Sequence, residues 1–257
     1  MMPLPDNPIF QRELHRRFRG PRFLLGWVLG YSLFLALVVA AGALGLYFFK
    51  RFSTQSGVGP FGSGNAPIGQ YLSATLFFFQ RWFFFFTVPG LAAAAITTEK
   101  EKKTLHMMII TSMTPTDIML GKLASLFLFI GILIISSIPI TMLTFQFGSV
   151  SWIQLLGSYG ALLLGVMYYV GCGIGASGMC QKTSSATMVT YGLIAALYFA
   201  SNIIPTFIGI AYAISQSQNI QFWMKVYPWF VLTTKVIAGV SLLYFGWYKV
   251  KNFELVG

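Results

Sequence analysis

The stretch Ile96–Lys122, ITTEKEKKTLHMMIITSMTPTDIMLGK, carries seven charged side chains in a chain of 257 residues that has only 17 Lys and Arg and six Asp and Glu. Before it runs LFFFQRWFFFFTVPGLAAAA (residues 76–95), and after it LASLFLFIGILIISSIPI (residues 123–140). A membrane-crossing helix needs about 20 mostly apolar residues. Charge gathered between two such runs therefore reads as a water-exposed connection between two membrane spans. The rest of the composition agrees: the chain is 56% hydrophobic and 9% charged, with a mean hydropathy of +0.72, whereas soluble domains carry about 25% charge. The expected fold is an all-α integral membrane protein.

Six spans are expected, over about residues 23–49, 70–97, 118–147, 152–179, 186–214 and 227–248, joined as one 23–257 domain behind an N-terminal segment, 1–22. Several approach thirty residues, which requires tilt or extension beyond the hydrocarbon. With alternating loops, Arg12, Arg16, Arg17, Arg19, Arg22, Lys100, Lys102, Lys103, Lys122, Lys182, Lys249 and Lys251 fall on one side, and only Lys50, Arg51 and Lys225 on the other. Positive loops stay in the cytoplasm, so both termini and the Ile96–Lys122 connection are expected there. The net charge of +11 is accounted for by these loops and by anionic head groups, without nucleic acid. The first apolar run, about 27 residues, is too long for a signal peptide core and reads as an uncleaved span.

The N-terminal stretch DNPIFQRELHRRFRGPR (residues 6–22) has helix punctuation: Asn7 as cap, Pro8 at the first position, Gly20 and Pro21 as the stop. On a helical wheel Phe10, Leu14 and Phe18 share one face, and Arg12, Arg16 and Arg19 the opposite one. That pattern fits a helix lying in the membrane interface; the alternative is a basic flank that only fixes topology.

Within Ile96–Lys122, Thr98 and Glu101 have capping-box spacing, which predicts a new short helix after span two. Thr114, Pro115 and Asp117 predict the start of span three. Between them Leu105, Met107, Met108, Ile109 and Ile110 spread almost all round a helix. A helix apolar on most faces outside the membrane needs a cover, and a docked protein partner would supply one. The alternative is a continuation of the flanking spans through the head groups.

These motifs resemble the type-2 ABC exporter permeases. The matching features are Asn7–Pro8, Arg12–Glu13–Leu14, Glu99 at the end of span two, the Thr104–Leu105 pair, the Thr111–Pro115 turn and Gly121–Lys122 at the start of span three. The family pattern often has Gly before the Thr-Leu pair, where this chain has Lys103, a better helix former. The resemblance implies a six-helix half-transporter in the inner (cytoplasmic) membrane of a bacterium. It implies pairing with a second permease, identical or homologous, and two copies of a separate ABC ATPase subunit beneath. ATP and Mg would be held by that partner, with no cofactor on this chain. It further implies that the N-terminal helix (Pro8, Arg12, Glu13, Arg16, Arg19) and a coupling helix (Glu99, Glu101, Thr104, Leu105, Met107, Met108, Ile109, Thr111, Pro115, Asp117) contact the ATPase.

No Gly-x-x-x-x-Gly-Lys-Ser/Thr occurs in the chain. Residues 173–178, GIGASG, match Gly-x-Gly-x-x-Gly but lie inside span four with no βαβ unit around them, so they do not read as a nucleotide site. The glycines at 171, 173, 175 and 178 read as small residues that let helices approach, toward another span or a second permease. Cys172 and Cys180 are about 12 Å apart on one helix, too far to pair. His15 and His106 lack helix-spaced partners for a metal. A membrane-embedded enzyme or an assembly scaffold without transport remains the alternative of a different class.

Arg81 and Lys235 stand inside spans. Such charges either snorkel to the head groups or line a translocation path; Asn202 joins them as a path candidate. Residues 50–70 read as a loop. Asn202 and Pro205 are expected to break span five locally, and Phe222 and Trp223 to anchor a short separate interfacial helix before span six.

Overall fold

A computed structural model describes residues 8–18, 21–56, 68–103, 115–147, 150–214 and 220–252. These form seven α-helices: α1 Pro8–Phe18, α2 Pro21–Ser56, α3 Ile68–Glu101, α4 Pro115–Phe145, α5 Trp152–Met179, α6 Thr183–Ile214 and α7 Ile220–Asn252. Five stretches are long and apolar enough to cross a membrane: Leu24–Gly45, Gly69–Glu101, Asp117–Gln146, Trp152–Met179 and Val231–Lys249. The architecture is all-α and that of a multi-pass membrane protein.

Several helix ends differ from the sequence reading. Lys50 to Ser56 belong to α2 rather than to a loop. Nothing in KRFSTQS forbids a helix, and the first glycine comes only at Gly57. No helix starts at Thr98: α3 runs through it to Glu101, and the Thr98 hydroxyl donates back to the Ala94 carbonyl at 2.6 Å. The Thr97 hydroxyl does the same to Ala93 at 2.7 Å. A capping-box pattern begins a helix only where the chain has already left one; here a spanning helix arrives uninterrupted, and the hydroxyls bond one turn back. Likewise α6 is continuous through Asn202 and Pro205, and Phe222 and Trp223 lie in the first turn of α7 rather than in a separate helix. α4 begins at Pro115 with Asp117 in its first turn, as the proline and acid at those positions predict.

The described chain divides into two compact units, and the division falls within α3, α4 and α5. One contains Met2–Phe84 and Gly121–Leu162. It is built on aromatic packing: Tyr31 of α2 stacks on Phe83 of α3 (4.5 Å between ring centroids), Trp27 of α2 meets Phe129 of α4 edge-on (6.1 Å), and Phe77 of α3 meets Tyr159 of α5 (5.1 Å). Its α1 buries Ile9 and Glu13, one turn apart, with Phe10 and Leu14 half-buried. The covered face is therefore turned by one position from the Phe10–Leu14–Phe18 stripe.

The other unit contains Phe85–Leu120 and Leu163–Gly257. Its α5 is held by close backbone approach on two sides. A Cβ on Gly171 would run into the Gly239 carbonyl of α7, and one on Gly173 into the Ala92 Cβ of α3. Gly246 of α7 in turn abuts Ile174. The α5 glycines thus pack against other helices of the same chain, which resolves the choice left open by sequence. In the same unit Pro89 sits inside α3, where it cannot donate to the Phe85 carbonyl. The Tyr191 hydroxyl of α6 donates to the neighbouring Phe86 carbonyl at 2.6 Å. A neighbouring helix thereby supports the backbone beside the proline.

Candidate functional site at the charged end of α3

The last turn of α3 lies beside the turn that joins α5 to α6. α5 stops at Met179 and is followed by Cys180, so no glycine is available at the position that usually ends a helix. Its last carbonyls need donors. Lys100 supplies them: its Nζ donates to the carbonyls of Ser177 (2.7 Å), Gly178 (3.0 Å) and Cys180 (3.2 Å). A cation at a helix C-terminus also interacts favourably with the helix dipole.

The opposite problem arises at the start of α6. The Ala186 amide donates to the Lys182 carbonyl, which puts Lys182 in the cap position. A lysine side chain has no acceptor to offer. Glu101 fills the role from α3: its Oε1 accepts the Thr183 backbone N–H at 2.6 Å. Adjacent residues of one helix, opposite in charge, thus cap the end of a second and the start of a third. Capping-box reasoning singled out Glu101 for its own helix, and the structure assigns it to another. Lys100 was missed. The sequence signal was the MCQKT junction (residues 179–183), which has neither a C-terminal glycine nor an acceptor at Lys182.

α3 then ends sharply. The Lys102 amide donates to the Thr98 carbonyl and the Lys103 amide to that of Lys100. Lys103 has φ of 54°. That is the left-handed conformation in which helices commonly stop, normally on glycine. The departure at Lys103 is therefore not a gain in helix propensity: the residue sits where glycine is favoured, and lysine is the strained choice.

Of the residues assigned to coupling, Glu99 and Asp117 are buried and Pro115 is the first residue of α4. Thr104, Leu105, Met107, Met108, Ile109 and Thr111 lie outside the described residues. In α1, Pro8 and Arg12 are exposed, Glu13 is buried and Arg16 lies within the helix, while Arg19 lies outside the described residues. Arg81 is exposed on α3 alongside Phe78 and Trp82. Lys235 is half-buried, its Nζ 5.4 Å from the centre of the Tyr198 ring, a cation–π contact between α7 and α6. Asn202 lies inside α6. Among the described residues no group of three or more His, Cys, Asp or Glu is arranged to hold a metal ion. The GIGASG stretch (residues 173–178) is helical throughout and committed to packing.

No protein-family model matches the chain, and a search of curated proteins finds no match.

Proposed function

We propose that this chain is the membrane permease subunit of an ATP-driven exporter of the type-2 ABC kind, with its motor on a separate ATPase. The single observation that most supports the reading is the double cap at the end of α3. In such a transporter, motion imposed on the connection after α3 must reach several spanning helices. Lys100 and Glu101 join the last turn of α3 to the end of α5 and the start of α6 through four hydrogen bonds. A push delivered to the last turn of α3 would be carried through these bonds to two further helices. The motif resemblance at Asn7–Pro8, Glu99 and Thr104–Leu105 supports the same reading.

On this proposal α6 supplies the sixth span, both termini and the charged connection lie in the cytoplasm, and the membrane is a bacterial inner membrane. The apolar run Leu105–Ile110 docks the ATPase, and a second permease completes the pathway. ATP and Mg are bound by the partner. The exporter draws a substrate through the membrane as the ATPase dimer closes.

The test is co-purification. Tagged protein is isolated with its genomically adjacent ATPase, and Leu105→Asp and Met108→Asp are each introduced. Loss of the ATPase with retained membrane insertion is the expected outcome. Undiminished binding by both variants overturns the docking surface. Absence of any associated ATPase from the wild-type complex, with no nucleotide-dependent export in vesicles, overturns the exporter reading in favour of an enzyme or scaffold. Cysteine accessibility at positions 3, 182 and 251 from the two sides of sealed vesicles tests the orientation.

A further inference from the structure

The unit formed by Met2–Phe84 and Gly121–Leu162 contains a cluster of buried polar side chains. Four helices contribute. Tyr159 of α5 places its hydroxyl 3.1 Å from Ser137 Oγ and 2.9 Å from Thr141 Oγ1, both on α4. Ser137 and Thr141 also donate to carbonyls of their own helix, at 2.6 and 2.8 Å. Tyr31 of α2 is buried with its hydroxyl toward Ser137 and without a hydrogen-bond partner. Gln80 of α3 is 0% exposed, and neither its Nε2 nor its Oε1 has a hydrogen-bond partner.

Ring contacts place Gln80 in this cluster. Phe77, one turn before it on the same face of α3, packs on the Tyr159 ring at 5.1 Å. Phe84, one turn after it, packs on the Tyr31 ring at 5.8 Å. Gln80 therefore lies on the α3 face that carries both tyrosine contacts, between them along the helix and about 16 Å from Gly69. The apolar stretch Gly69–Glu101 has 33 residues, about 50 Å, so a hydrocarbon core of about 30 Å centred on it includes Gln80. A primary amide there, with two donors and an acceptor unused, is expensive unless something bonds it. Leucine or methionine would fill the space without that penalty. All five side chains are neutral, so the cluster offers hydrogen bonds in both directions and no charge to balance an ion. The fitting occupant is a small neutral molecule that both donates and accepts.

We propose that Gln80, Tyr31, Ser137, Thr141 and Tyr159 form a water-binding site within the membrane-spanning part of this unit, with the Gln80 amide as its principal anchor. The site gives the interior of the unit a hydrated point that the apolar sequence around it does not suggest. The inference rests on membrane placement and side-chain geometry, and it stands whether or not the chain is a transporter.

The test is radiolytic footprinting of the full-length protein in nanodiscs, with oxidation mapped by mass spectrometry. Hydroxyl radicals made from a bound water attack side chains next to it. Phe77 and Phe129 form a matched pair in the same unit, 6% and 5% exposed. Only Phe77 adjoins the cluster. Phe77 is expected to oxidise several-fold faster than Phe129, and Gln80→Leu is expected to bring Phe77 down to the Phe129 rate while leaving Phe129 unchanged. Equal rates in the wild-type protein mean a dry cluster and overturn the proposal. Fast oxidation of Phe77 that persists in Gln80→Leu overturns the role of Gln80. Gln80→Met repeats the second arm if the leucine variant does not assemble, and the wild-type comparison decides the first arm alone.

Discussion

Replacing Lys100 by Met isolates the cap that α3 places on α5. Methionine keeps the length and the apolar stem of the side chain but removes the ammonium. Three carbonyls, those of Ser177, Gly178 and Cys180, lose a charged donor at 2.7, 3.0 and 3.2 Å. A hydrogen bond to a charged group contributes about 1.5–3 kcal/mol. The three bonds share one ammonium and are only partly shielded from water, so they do not sum. A net loss of about 2–4 kcal/mol is expected, including the helix-end interaction. For a chain of this size that corresponds to a drop of about 5–10 °C in the unfolding midpoint. The assay is tryptophan-fluorescence melting of purified protein in detergent, with Lys102→Met as the control. Lys102 is exposed, and its backbone amide, which the substitution keeps, donates to the Thr98 carbonyl; its replacement is expected to change stability by no more than about 0.5 kcal/mol. Glu101→Ala is expected to speed hydrogen exchange of the Thr183 amide, and Glu101→Gln, which keeps the acceptor oxygen, is not. If Lys100→Met melts with Lys102→Met, the α3 end does not hold α5, and the transmission argument built on it falls.

Lys103→Gly is expected to stabilise the protein by about 1 kcal/mol, because it removes a left-handed lysine; an unchanged or lowered melting midpoint refutes the account of how α3 stops. Gly171→Ala forces a methyl into the Gly239 backbone and is expected to cost several kcal/mol. Gly165→Ala, with nothing within 4 Å, is expected to be tolerated; similar folded yields of the two on size-exclusion chromatography would refute the close α5–α7 seam. Arg81→Gln is expected to lower export in a reconstituted complex without loss of ATPase assembly if Arg81 lines the path, and unchanged transport assigns it to the head groups.

The spanning helices were legible because twenty or more apolar residues in a row have few alternatives, and α5 begins and ends where the sequence reading placed it. Helix ends were less legible. Thr98 and Glu101 have the spacing of a cap, but spacing does not reveal that a helix arrives from upstream and passes through. Lys50–Ser56 and Phe222–Trp223 were separated from their helices for their polarity and interfacial character, although neither property interrupts backbone hydrogen bonding. Pairings between distant residues were not legible at all. Lys100 finds its partners 77 to 80 residues away, and no local pattern encodes that. The buried, unpaired state of Gln80 likewise depends on three other helices. In the candidate site, Glu101 was named for the wrong helix and Lys103 for the wrong virtue, both because a helix terminus is decided by what lies beside it.

The glycine seam between α5 and α7 has a mechanical consequence. Most helix contacts are cushioned by side chains that can change rotamer, so neighbours slide or tilt a little at small cost. Where Gly171 meets Gly239 and Gly246 meets Ile174, main chain rests directly against its neighbour. There is no cushion to deform, and a shift along the axis drives carbonyl oxygens into backbone. The two helices are therefore one stiff beam, and any bending that this unit undergoes falls on its other members.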